Sequence, residues 1–83
     1  MVKSLHTPSY IIFRHVMADA RERQGLTQTE LANRLGKPQS FVSKYESGER
    51  RLDLVEFLVV CAALGVEAAA LFNSILGAIH EHK

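Results

Sequence analysis

The chain predicts an all-α fold of five helices, and three observations carry that prediction. Helix starts and stops recur along its length: Thr7-Pro8, Thr27 with Glu30 and Asp53 with Glu56 are N-terminal caps, while Gly25, Gly36, Ser47-Gly48 and Gly65 are stops. Between these signals the apolar residues return at helical spacing. No stretch alternates apolar and polar residues with a period of two for long enough to build a sheet.

Helix one opens with Thr7 as N-cap and Pro8 at the first helical position, where its missing N–H has no helical partner to lose. Tyr10, Phe13, Val16, Met17 and Ala20 give it an apolar face up to Gln24. Helix two follows the Thr27/Glu30 capping box, with Leu31, Ala32 and Leu35 inward and Gly36 at its end. Helix three opens at Pro38-Gln39 and turns Val42 and Tyr45 inward. Helix four begins after Asp53 and runs to Gly65. Its β-branched stretch can be mistaken for a buried strand, but its cap, its length and the all-helical setting decide for helix. Helix five has Glu67 in its first turn and extends to about Ile79, carrying Leu71, Phe72, Ile75, Leu76 and Ile79.

With 83 residues the chain is expected to form one domain, 1–83, too short for a second core or a ligand-sensing unit. Its core is expected over about 9–73, with the paired central helices over about 27–47. The 47% hydrophobic content argues against disorder. Cys61 is the lone cysteine, read as a buried packing residue, so no internal disulfide can form and a reducing compartment fits. The longest apolar run, 57–64, is too short to span a membrane. Ser4, His6 and Thr7 interrupt any secretion-signal layout. A cytoplasmic protein with no membrane partner is expected.

Residues 27–51 carry the chemistry. A tight Gly36-Lys37-Pro38 turn joins two short amphipathic helices, and the second exposes Gln39, Ser40, Ser43 and Lys44 instead of the usual Glu/Lys mixture. Gln can bond adenine bidentately, and Ser or Lys can reach base edges or phosphate oxygens in a major groove. Net charge is only +1, yet Arg34, Lys37, Lys44, Arg50 and Arg51 outweigh Glu46 and Glu49 in the middle, while the segment after residue 51 is acidic. One face suits a polyanion and another turns away from it. Double-stranded DNA is the first partner to consider.

At Leu26-Thr27-Gln28, Leu31-Ala32, Gly36 and Glu46-Ser47-Gly48, with Ala-Leu-Gly-Val at 63–66, the chain resembles the lambda repressor/Cro-like (XRE) helix-turn-helix family. The resemblance spans roughly residues 9–73. It implies a five-helix DNA-binding domain whose third helix lies in the major groove. Gln39, Ser40 and Lys44 match the family's base-reading positions, and Gln28 matches a phosphate contact at a helix N-terminus, a natural phosphate site. Lys37, Ser43, Ser47, Arg50 and Arg51 are further phosphate candidates. Arg21 and Glu46 match a structural ion pair between helices one and three. Phe41 is atypical, and three placements are open to it: beneath Arg50-Arg51, against a thymine methyl, or against the sugar-phosphate edge.

His6, His15, His80 and His82 show no metal-ligand spacing, no cofactor motif is present, and no serine has a His-acid arrangement that would make an enzyme. Helix five is apolar over so much of its circumference that it should bury two faces. Phe72, Ile75 and Ile79 are therefore expected at an isologous dimer contact, within an extension of about 67–80. The expected function is a sequence-specific transcriptional regulator, most simply a repressor, binding an inverted-repeat operator as a homodimer. The other function class is an antitoxin-type module that keeps a DNA-binding core and docks a protein partner such as a toxin through helix five.

Overall fold

The structure is a computed structural model that describes residues 7–82, for His82 the backbone alone; the readings of Ser4, His6 and the His82 side chain lie outside what is described. Five helices follow in order: α1 (Pro8–Arg23), α2 (Gln28–Leu35), α3 (Gln39–Ser47), α4 (Leu54–Leu64) and α5 (Ala68–His82). There is no strand among the described residues.

The helix ends follow local chemistry. Thr7 accepts the Tyr10 N–H at 3.3 Å, and both capping boxes close, Thr27 with Glu30 and Asp53 with Glu56. Each such cap contributes roughly 1 kcal/mol. At the end of α2, Gly36 takes φ 68°, a left-handed conformation that costs other residues strain. The Lys37 N–H then reaches back to the Ala32 carbonyl at 3.0 Å and satisfies one of the helix's orphan acceptors.

The core is drawn from every helix. Met17, Leu31, Val42, Tyr45, Val60, Cys61 and Leu64 are fully enclosed. In α4 the inward residues Phe57, Val60, Cys61 and Leu64 recur at helical spacing, so the β-branched stretch packs as a helix. Burial raises the Cys61 thiol above its ordinary value, which keeps it a protonated, apolar filler. Tyr10 accepts the Leu52 N–H at 3.0 Å through its hydroxyl and ties α1 to the segment before α4. α5 turns 114° away from α4 and packs back against α1.

Two expectations for α5 need correction. It continues past Ile79 to His82, and Glu67 precedes it, supplying the carbonyl that accepts the Leu71 N–H. Its apolar residues also divide differently. Ile75 is only 6% exposed and belongs to the chain's own core, and Ile79 is half-buried against that core. Ile75 has no surface left for a partner. The helical period turns Phe72 and Leu76 outward instead, 50% and 39% exposed. Phe72 and Leu54 of α4 line one groove together, Leu58 is exposed one turn further along α4, and the exposed Val55 and Val59 line a second groove beside Leu35 and Phe41.

Candidate nucleic-acid interface

α2 and α3 pack on each other across the Gly36 turn. Pro38 precedes α3 without a side-chain cap and its carbonyl takes only the Phe41 N–H, at 3.0 Å, so the Gln39 and Ser40 N–H groups stay open at the positive end of the helix dipole. Gln39, Ser40 and Lys44 are all exposed on α3. No hydrogen bond ties the Ser40 or Lys44 side chain to another described residue.

A chain of polar bonds holds the two helices in register. Arg21 of α1 meets Glu46 of α3 through Nε to Oε2 at 2.8 Å and Nη2 to Oε1 at 3.1 Å, and its Nη1 donates to the Leu26 carbonyl at 2.7 Å. The pair is nearly enclosed, with side chains 11% and 7% exposed. The hydrogen bond to Glu46 raises the Arg21 guanidinium above its ordinary value, so the charge is permanent. Gln28 then donates Nε2 to Glu46 Oε1 at 3.0 Å and accepts Gln39 Nε2 at 2.7 Å on its Oε1. Gln39 is therefore tethered by one amide hydrogen, while its other hydrogen and its Oε1 stay free. Those two groups are the donor and acceptor that a bidentate contact with adenine requires.

The other sequence-derived residues divide. Gln28 keeps one amide hydrogen outside the relay. Lys37 lies 5.3 Å from the Phe41 ring centroid and is exposed, as are Lys44 and Arg51. Among the described residues, none of these three cations is in a salt bridge. Arg51 rests over Tyr10 at 5.6 Å. Ser43 and Ser47 each give their single hydroxyl hydrogen within α3, to the Ser40 and Lys44 carbonyls at 3.2 Å, and Ser47 also approaches Glu49. A phosphate bond would require either hydroxyl to rotate.

Arg50 departs from its expected phosphate role. Its guanidinium grips Glu56 at 3.0 and 2.6 Å, donates to the Arg51 carbonyl and lies 4.7 Å above the Phe41 ring. A guanidinium so occupied joins α3 to α4 and has little left to offer a phosphate. Phe41 takes the first of its three placements in part: it is buried beneath Arg50 and edge-on to Tyr45 at 5.6 Å, while Arg51 sits elsewhere. Sequence reasoning missed Arg14, whose Nη1 donates to the Glu46 carbonyl at 3.1 Å. Its position two helical turns before Arg21 was the available signal.

Two short helices across a left-handed turn, with an exposed polar second helix and unpaired cations at its flanks, define a helix-turn-helix protein that binds DNA. A family model described as helix-turn-helix matches residues 17–71. The chain belongs to the XRE (lambda repressor/Cro-like) helix-turn-helix family of DNA-binding transcription regulators. It is similar to the solved structure of an XRE-family like protein from Pseudomonas syringae pv. tomato str. DC3000, at 44% identity and TM-score 0.81, over 90% of this chain and 92% of that one. Two point mutants of the restriction-modification controller protein C.Esp1396I share the fold at 20% and 22% identity. Their TM-scores are 0.82 and 0.83; the first match covers 88% of this chain and 97% of that one, the second 93% and 98%. No curated protein matches the sequence.

Proposed function

We propose that the protein is a sequence-specific repressor that binds an inverted-repeat operator as a homodimer. The observation that carries the reading is the tethered Gln39 beside exposed Ser40 and Lys44 on one short helix. Gln39, Ser40 and Lys44 read base edges. Gln28, Lys37, Arg51 and the uncapped start of α3 hold the phosphate backbone, with Ser43 and Ser47 available on rotation.

The dimer follows from the apolar band of Leu54, Leu58, Phe72 and Leu76, whose exposures run from 39% to 69%. A second copy of the chain is the occupant that suits it, because the same patch on both partners closes a two-fold contact. Such a dimer sets two recognition helices about 34 Å apart, one turn of DNA. Steric occlusion of a promoter is then the simplest regulatory outcome.

Selection of bound duplexes from a random pool tests the reading. The expected product is a pair of inverted half-sites spaced by about one helical turn. Affinity should fall with salt at a log-log slope of about −0.9 per neutralised phosphate. Recovery of unrelated sequences, or of a single unpaired half-site, counts against it.

A further inference from the structure

Arg14 has no place in the surface just described, yet it is bound to the recognition helix. Its Nη1 donates to the main-chain carbonyl of Glu46, whereas Arg21, two turns along the same face of α1, holds the Glu46 carboxylate. One residue of α3 is thus clasped twice by α1, once through its backbone and once through its side chain. The Arg14 guanidinium also lies flat on Gly48, where a Cβ would stand 3.0 Å from Nε and 3.1 Å from Cζ. Gly48 is the residue that ends α3, at φ 89°. Arg14 is in no salt bridge among the described residues, and its Nε is buried without a hydrogen-bond partner.

A buried donor with no partner lowers stability. A shorter or apolar side chain at this position would not carry that burden, so packing alone does not account for an arginine. What the guanidinium adds is a cation and a plane at the carbonyl end of α3, where the helix dipole is negative. At the opposite end Pro38 leaves the N–H groups uncapped. The recognition helix is gripped at its C-terminus and open at the end that meets base pairs.

We infer that Arg14 is a positioning residue for DNA recognition: it fixes the angle of α3 through the Glu46 carbonyl and Gly48, and so sets base discrimination without touching DNA. This rests on the DNA-reading function proposed above. A helix rotated by a few degrees keeps its phosphate attraction but loses the alignment of Gln39 with a base edge, since base contacts carry the directional requirement.

The test compares the full chain with Arg14→Met and Arg14→Lys variants, each held well below its measured melting temperature. Binding is titrated on the selected operator duplex and on a scrambled duplex across a range of salt. Arg14→Met should lose about tenfold on the operator, stay within about twofold on the scrambled duplex, and keep the salt slope. Equal losses on both duplexes, with a slope shallower by about one phosphate contact, make Arg14 a backbone contact and overturn the inference. Unchanged binding to both overturns it as well.

Should Arg14→Met fail to fold, Arg14→Lys decides the matter. Lysine serves a phosphate as a point charge but lacks the plane that rests on Gly48. A reduced operator-to-scrambled ratio in Arg14→Lys supports positioning, and an unchanged ratio refutes it. A parent protein that prefers no duplex sinks the regulator reading itself, a result distinct from either.

Discussion

Glu46 holds Arg21 in a fork, with Nε on one carboxylate oxygen at 2.8 Å and Nη2 on the other at 3.1 Å, and both side chains are almost shut off from solvent. Removing one partner leaves the other charge enclosed without its counter-ion in the fork: Glu46 keeps only the neutral Gln28 amide, and Arg21 keeps the Leu26 carbonyl and a distant Glu22 at 3.8 Å. Arg21→Ala or Glu46→Ala should therefore cost about 3–5 kcal/mol. A chain of this size has roughly 4–12 kcal/mol in total, so either variant should be close to unfolding. Urea titration checks it: the midpoint should drop sharply with the slope unchanged. A loss below about 1 kcal/mol would mean the pair behaves as a surface ion pair.

Gln39→Ala should weaken operator binding by about 1–3 kcal/mol and leave scrambled DNA nearly unaffected. Gln28→Ala should reproduce part of the operator loss, because the Gln39 amide then lacks its tether, and should also weaken scrambled DNA through the lost phosphate contact. Fluorescence anisotropy on both duplexes reads the difference. Equal effects on the two duplexes would remove Gln39 from base recognition.

Phe72→Glu and Ile75→Glu separate the outer from the inner side of α5. Phe72 is half-exposed, so its replacement should cost the monomer about 1 kcal/mol and leave it folded. It should nevertheless give a monomer in sedimentation and lower operator affinity by about a hundredfold, since linked half-sites act together. Ile75→Glu buries a lone carboxylate and should prevent folding at ambient temperature. A Phe72→Glu protein that still sediments as a dimer rules out the proposed face.

Acid stability should depend on Glu56. Its hydrogen bond with Arg50, then the Asp53 N–H, hold the carboxyl down to about 2 from an ordinary 4.5. The unfolded chain takes up this proton near 4.5 and the folded chain only near 2, so the contribution is complete above 4.5 and disappears as pH falls through that interval. Glu56→Gln should cost about 0.5–1 kcal/mol at neutral pH, modest because the pair is partly solvated. It should also flatten the decline of melting temperature below 4.5, though not abolish it, because the Thr27 N–H lowers Glu30 in the same direction. Parallel curves for variant and parent would deny Glu56 this role.

What could be read from the sequence was what depends on near neighbours. Capping boxes at Thr27/Glu30 and Asp53/Glu56 need residues only three apart, and the Gly36 stop needs one residue's conformational freedom. The partners of long cations were not legible. Arg50 faces either solvent or Glu56 depending on how α3 meets α4, and Arg14 finds Glu46 across 32 positions. In α5 the pattern itself failed. Apart from Asn73 and Ser74, positions 68–79 are apolar or glycine and leave little contrast to tell which side faces α1, so sequence pattern alone does not separate Ile75 from Phe72.

Ser40 and Lys44 make no hydrogen bond through their side chains to any other described residue, while the Glu46 clasp a turn away is enclosed. Exchanging either therefore leaves the interior intact. If Ser40 and Lys44 read bases as proposed, a lineage using this scaffold can change its DNA target by single substitutions that leave the fold in place.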